Sequence, residues 1–481
     1  MTVKAIDGQK SDDDSWNSIN WKEVDQIVNC LQRRIVKAVK AKDKEKVRSL
    51  QRLLARSLAG RLKAVRRVTT NRGKRTPGVD KILLDTPAKK WQQAQRLNVT
   101  GYKAQPLKRT YVPKKNGKLR PLGIPVMHDR AEQSLEQMGL DPVSECTADS
   151  HSYGFRKKRS IHDAIGACYN ALRRKGSAQW ILEGDIKGCF DFIDHNWLLR
   201  HIPTRKKKLR QWLKSGYLER SMFNPTKEGT PQGGIISPTL ANMVLDGIEF
   251  LLTRRFNRKD KIHFVRYADD FIITGNSKEL LAERVQPLIE KFLRKRGLSL
   301  SAEKTRISHI NDGFDFLGFN IRKYKDKLLT KPAGSSISKI KSKIRELIKM
   351  NKTIKTVDLI RQLNPVLRGW GNNYRHVASK AIFSKIDHEI WKISWQWAKR
   401  RHPKKMLKWI KSKYFQSIGS RRWVFREKDD PISLMKLSDI PIRRHIKIKA
   451  NANPYDKEWQ DYFIERSQRL LPGASLCLFN A

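Results

Sequence analysis

Three aspartates carry the chemistry that this sequence can do. Residues 264–274 read Phe-Val-Arg-Tyr-Ala-Asp-Asp-Phe-Ile-Ile-Thr. Two short β-prone runs flank Ala268-Asp269-Asp270, which predicts a hairpin with acids at its turn. Alone, the pattern also suits an ordinary turn, where Asp is common. Residues 180–185, Trp-Ile-Leu-Glu-Gly-Asp, add a second signal. There an apolar run delivers Asp185 to the end of a buried strand, and a carboxylate in such a place is costly unless a cation or hydrogen bonds compensate it. Two strands ending in acids would gather their carboxylates around a pair of Mg²⁺ ions, hard cations that take oxygen ligands and substrate phosphates. In a site of that kind one ion activates an attacking 3′-hydroxyl and the other stabilises leaving pyrophosphate, at a separation of about 4 Å. That chemistry is nucleotidyl transfer.

The elements that position these acids run through a chain of 481 residues, enough for three or four domains at roughly 100–200 residues each. Residues 1–15 read as polar and disordered. From Trp16 to about Val65 the pattern is helical, with Ile27, Leu31, Ile35 and Val36 on one apolar face. Residues 71–80 form a loop by their Gly and Pro content. Strand and turn signals dominate from Arg109 to Pro125 and recur to about Ile321. Beyond Lys331 basic helices with interleaved Trp, Leu and Ile extend to about Lys413, and a mixed stretch follows.

Composition narrows the partner. Lys and Arg number 101 against 47 acids, a formal charge of +54. An excess of this size calls for a polyanion. No apolar run of about 18 or more residues offers a membrane span, and the cations are spread between apolar segments. Nucleic acid is therefore the expected partner, and a membrane is not. The five cysteines are widely spaced with no CxxC pair, so neither a disulfide framework nor a zinc site is indicated. With an acidic, non-apolar N-terminus, this fits a reducing cytoplasm.

Further pieces occur in a fixed order around the three acids. They are Arg-Thr-Pro-Gly-Val-Asp at 75–80, Lys-Leu-Arg-Pro-Leu-Gly-Ile-Pro at 118–125 and Ser-Tyr-Gly-Phe-Arg at 152–156. After the Asp185 segment come Gly-Thr-Pro-Gln-Gly-Gly-Ile-Ile-Ser-Pro at 229–238, the Asp269-Asp270 turn, Ser-Ala-Glu-Lys-Thr at 301–305 and Phe-Leu-Gly-Phe at 316–319. In these pieces the chain resembles group II intron-encoded reverse transcriptases, from about Trp16 to Leu471. The resemblance implies an α+β right-hand polymerase. Its domains would be an RNA-binding N-terminal extension and start of the fingers (1–100), fingers and an antiparallel-sheet palm (101–330), a helical thumb or maturase domain (331–400) and a small DNA-binding segment (401–481).

It also implies roles. Asp185, Asp269 and Asp270 would hold two Mg²⁺ ions, with Ile186 completing the metal and nucleotide contacts. Gln232 would position the incoming nucleotide and template base, unless it is a helix cap. Arg120 would hold the triphosphate, where a guanidinium binds phosphate in a bidentate way. Lys114 would assist, or be a solvated loop charge. Lys304 would protonate pyrophosphate as general acid, or pair with Glu303 or a phosphate. Phe190, five positions after Asp185, matches the aromatic that excludes a 2′-hydroxyl in the family, or else is core. Lys81 and the pair Lys157-Lys158 depart from the family pattern, which has Gly after Val-Asp and a common Pro-Gly.

Residues 367–376 and 383–388, followed by Trp391, Trp395 and Trp397, look like the family's thumb and maturase region. Tryptophans at that spacing suit helix packing as well as base stacking, while Lys392, Lys399, Arg400 and Arg401 would face RNA. Residues 414–415, 419–425 and 453–455 look like its DNA-binding segment. The implied partners are group II intron RNA, a DNA target and primer, and dNTPs. The family's H-N-H endonuclease is not expected, since the sequence stops before it and Cys477 stands alone. The competing readings are a splicing cofactor with a dispensable polymerase site, and a reverse transcriptase of another lineage.

Overall fold

The computed structural model describes residues 11–113, 117, 119–220, 222–226, 228–428 and 430–470. The chain divides into two compact units. One comprises Met1–Ala164, Ile181–Ile307 and Ile448–Ala481; the other comprises Ile165–Trp180 and Ser308–Lys447.

The first unit opens with helices α1 (Asp12–Asn17), α2 (Trp21–Lys40), α3 (Lys44–Arg56), α4 (Leu58–Thr70) and α5 (Pro87–Arg96). Each starts on a side-chain cap, from Ser11, Asn20, Asp43, Ser57 and Thr86 in turn, which satisfies an amide that the helix cannot. Residues 12–15, read above as disordered, are thus helical, and Trp16 packs edge-on against Trp21 at 5.2 Å. Val24, Val28, Leu31 and Ile35 recur at helical spacing and face a core shared with Leu54, Leu62, Val65 and Leu135. No helix among the described residues is long and apolar enough to cross a membrane.

Strands β1 (Leu107–Pro113) and β2 (Leu119–Ile124) pair antiparallel before the buried helix α6 (Met127–Thr147). Then follow α7 (Ile161–Leu172), β3 (Trp180–Asp185), α8 (His195–His201), α9 (Lys206–Leu213), β4 (Tyr217–Glu219) and β5 (Met222–Asn224). Next come α10 (Ser237–Leu245), α11 (Ile248–Arg255), β6 (Phe264–Tyr267), β7 (Asp270–Gly275), α12 (Gln286–Arg294) and β8 (Arg306–His309). Two four-stranded sheets result, ordered β2-β1-β4-β5 and β6-β7-β3-β8. In the second, Phe271, Ile272 and Ile273 are all buried, so β7 is covered on both faces.

The second unit has a sheet of β9 (Phe314–Phe316), β10 (Phe319–Tyr324) and β11 (Lys327–Pro332), in the order β11-β10-β9. Four helices follow: α13 (Gly334–Met350), α14 (Thr356–Tyr374), α15 (Lys380–Arg401) and α16 (Leu407–Tyr414). The hairpin β12 (Phe415–Ile418) and β13 (Arg421–Phe425) packs on them through Trp395, Trp397 and Phe415. The chain from Ile448 through α17 (Gln460–Leu470) belongs to the first unit. It is fastened by ion pairs of Arg466 with Asp163 (2.7 Å) and Lys40 with Asp456 (2.6 Å). The Ile448 amide also donates to Asp163 at 2.7 Å. Cys30, Cys146, Cys168 and Cys189 are free thiols, and Cys477 lies outside the described residues.

Candidate active site

The acids come together because β3 and β7 are neighbours. β3 ends on Asp185 and β7 begins on Asp270. The residues beside them touch: a Cβ on Gly184 would lie 2.2 Å from the Phe271 ring. Only glycine before Asp185 admits that ring.

Asp269 sits in the β6–β7 turn, where Tyr267 pairs with Asp270. The first loop residue, Ala268, has φ +59, a left-handed conformation usually given to Gly or Asn in tight hairpins. The turn is held from below. Arg266, with 0% exposure, donates to the Asn242 side chain at 3.0 Å and the Ala268 carbonyl at 3.2 Å, and pairs with Asp246. Asn242 in turn donates to the Gly154 carbonyl at 2.8 Å. Gly154 lies so close that a Cβ there would be 2.3 Å from the Ala268 amide nitrogen. The sequence reading missed this floor. Its one signal was Arg266 itself, a cation inside a buried β-prone run.

The opposite side of Asp185 is formed by residues 299–301. The Ser301 amide donates to the Asp185 carbonyl at 2.8 Å, and Ile186 bridges Leu300. Lys304 follows in a tight turn and places its ammonium against both carboxylate oxygens of Asp185, at 2.9 and 3.1 Å. It therefore pairs with Asp185 and not with Glu303. The carboxylate hydrogen bond holds the Lys304 pKa above its ordinary value.

Among the described residues, no side chain donates a hydrogen bond to Asp269 or Asp270. Burial, and then the charges of Asp269 and Asp185, push Asp270 up to about 6, although its outer edge is open to solvent. Burial also raises Asp269, against the pull of Arg120 and Lys304. That pull places Arg120, exposed on β2, within electrostatic reach of the acids.

Gln232 lies in a loop folded onto the turn after β3. The Thr230 amide donates to the Phe190 carbonyl at 2.6 Å, and Gln232 donates to the Asp191 carboxylate at 3.0 Å. It caps no helix, since α10 begins after Ile236 with no side-chain cap. Phe190 is half-buried and meets Phe155, 55% exposed, edge-on at 6.4 Å. Lys114 lies outside the described residues. Lys81 and Lys158 adopt φ +57 and +62, so both departures from the family pattern occupy backbone positions that favour glycine.

Residues 112–321 match the family described as reverse transcriptase (RNA-dependent DNA polymerase). Residues 16–97 match the N-terminal domain of reverse transcriptase, and residues 337–415 match the group II intron maturase-specific domain. The chain is 33% identical over 303 residues to protein YkfC of Escherichia coli, covering 54% of this chain and 79% of that one. It is 31% identical over 332 residues to the group II intron-encoded protein LtrA of Lactococcus lactis, covering 54% of each. A 91 kDa protein in the cob intron of Schizosaccharomyces pombe is 28% identical over 372 residues, covering 60% of this chain and 46% of that one. The chain belongs to the group II intron-encoded reverse transcriptases. It spans about half the length of LtrA and of the fission yeast relative.

For this reverse transcriptase the fold class is the expected α+β, with two four-stranded sheets in the first unit and helices after β11 in the second. Nucleotidyl transfer in such a domain uses divalent metal ions, and the donor set suits them. The described residues hold no group of three or more His, Cys, Asp or Glu already set to grip a metal, and Lys304 sits on Asp185. What they present is hard oxygen: two partly buried carboxylates without side-chain donors, beside a third paired with the Lys304 ammonium. A divalent cation would relieve their repulsion.

Proposed function

We propose that this protein is an RNA-directed DNA polymerase that also acts as a maturase, binding its own intron RNA to favour the splicing-active fold. It would copy that RNA into DNA from a primer at a DNA target, using dNTPs. The observation that carries the reading is the meeting of Asp185, Asp269 and Asp270 at the ends of two neighbouring central strands without enough donors to neutralise them.

Two Mg²⁺ ions would be held by these three carboxylates and the backbone carbonyl of Ile186, whose apolar side chain is buried. When bound, they supply charge neutralisation and an activated 3′-oxygen. The protein's own side chains do the rest. Arg120, whose charge is felt by Asp269, would take the triphosphate, a fork-shaped donor for phosphate oxygens; Lys114 would assist. Gln232, braced by Asp191, would fix the nucleotide's orientation. Phe190, braced by Phe155, would close the space beside the sugar to a 2′-hydroxyl. Lys304 would leave Asp185 when metal enters and stand ready to protonate pyrophosphate.

By the same reading residues 1–100 grip RNA, 101–330 are fingers and palm, 331–400 the thumb and maturase domain, and 401–481 contact DNA. A formal charge of +54 suits such polyanionic partners. The protein would work in the cytoplasm, at the nucleoid when bound to DNA. The test is primer extension on an RNA template with Mg²⁺, comparing dNTPs with rNTPs. DNA synthesis that an Asp269→Asn, Asp270→Asn variant lacks is the expected result. A wild type as silent as that variant would leave a splicing cofactor as the better reading.

A further inference from the structure

We propose that the second unit carries a pocket for a single unpaired nucleotide of RNA, built by α15, β13 and the segment after β13. This rests on the maturase reading, because the α15 wall lies within the matched maturase-specific region. The cavity measures about 370 Å³.

Its walls are aromatic. His388 and Trp391 stand nearly parallel, 5.8 Å apart at 17°. Trp423 meets Trp391 edge-on at 5.8 Å and 82°. Trp423 is held at φ +63, a conformation that bulky side chains avoid unless the surroundings impose it. These tryptophans are not all core. Trp397, on the same helix, is buried and donates its indole N–H to the Asn351 carbonyl at 2.8 Å. Trp391 instead is half-exposed and lines the cavity. An aromatic wall that is not sealed in the core suits another flat ring. Every nucleobase has a π-face for stacking.

The rim supplies charge for the attached phosphate. Arg422 and Lys436 line the mouth, and neither has an ion pair among the described residues. The acid of the pocket, Asp387, is already engaged, accepting the Leu437 and Ser438 amides at 2.8 and 2.9 Å. Stacking walls and two unpaired cations together match a base with its phosphate. A paired base could not enter.

The test uses the full chain and a single-stranded RNA of about 12 nucleotides with iodouridine at its centre, which photocrosslinks to adjacent aromatic rings. Total binding is read by gel shift, and crosslinked peptides by mass spectrometry. The expected adducts lie on Trp391, Trp423 or His388. Unlabelled single-stranded RNA should compete them away, and duplex RNA of the same sequence should not. In Arg422→Ala, Lys436→Ala, a change confined to the rim, the adducts should fall by roughly five-fold or more. Trp391→Phe should reduce binding at this site with the thermal melt unchanged. RNA retained in the gel with adducts only elsewhere would overturn the pocket and leave the maturase reading standing. Equal competition by duplex, or stronger competition by single-stranded DNA, would also overturn it. No retention of RNA at all would overturn both.

Discussion

Arg266 and Asp270 lie on one hairpin, a few residues apart, in opposite electrostatic settings. Arg266 is wholly buried and bonded to Asp246, Asn242 and the Ala268 carbonyl. Burial lifts the Asp246 carboxyl above its ordinary range, and the guanidinium works against that lift. Asp269 and Asp270 have no such partner among the described residues, and Asp270 is driven up to about 6. Charge in the floor is matched within the chain and fixes the shape of the turn. Charge at the rim is left unmatched, and its partner must come from outside. The contrast marks which residues hold and which react.

The largest expected effect comes from removing the unmatched charge. Asp269→Asn with Asp270→Asn should lower DNA synthesis by on the order of 10³-fold or more, given the several kcal/mol that metal ions contribute to such transition states. The urea midpoint should hold or rise, because repulsion is relieved. A variant that loses activity only because it unfolds would blur the contrast.

Removing matched charge should do the reverse. Arg266→Met leaves Asp246 buried without its cation, a change that costs roughly 3–5 kcal/mol. Denaturant unfolding followed by circular dichroism should report it, and activity should fall in step with the folded fraction. A loss of less than about 1 kcal/mol would show that the floor is not held by this pair.

Lys304 tests the boundary between the two regions. It pairs with Asp185 at 2.9 Å, but its side chain is 65% exposed, so the pair should add little stability, under about 1 kcal/mol. As a proton donor it would contribute about 10²-fold or more. Lys304→Gln should therefore lower kcat far more than stability, with KM for dNTP nearly unchanged. Equal losses in kcat and in the melting temperature would return Lys304 to a structural role.

The sequence made the rim legible and the floor nearly invisible. Asp185, Asp269 and Asp270 stand out because acids at the ends of apolar runs are anomalous, and the helices after Lys331 follow from their apolar spacing. Gly154 and Gly184 could be read as motif letters but not as contacts. Their reason is a close approach to Ala268 and Phe271, residues over 80 positions away in the chain. The return of residues 448–470 to the first unit was likewise hidden, since buried pairs such as Arg466 with Asp163 have no periodicity to announce them. Helix α1 escaped notice because its acids suited a solvated tail as well as a first turn under the Ser11 cap.

The smallest effect is also the most specific to the unmatched acids. Mg²⁺ binding only the folded state stabilises it by an amount set by concentration over Kd, about 2.7 kcal/mol at a hundred-fold excess. The melting temperature of the wild type should rise with Mg²⁺, and that of the double Asn variant should not. The sign with pH follows from the raised carboxyl. The folded protein holds the Asp270 proton up to about pH 6, whereas the unfolded chain releases it near the ordinary value of 3.8. Between those values the folded state binds more protons, so without metal this group's contribution to stability falls as pH rises through the window. Its open edge screens the effect to about 1 kcal/mol or less. Metal competes with the same proton, so the Mg²⁺ increment should be full above about pH 6 and shrink as pH falls below it. Arg266→Met, where it folds, should keep that increment, since the floor binds no metal. A Mg²⁺ increment that survived in Asp269→Asn, Asp270→Asn, or ignored pH, would place the ion elsewhere and break the contrast between rim and floor.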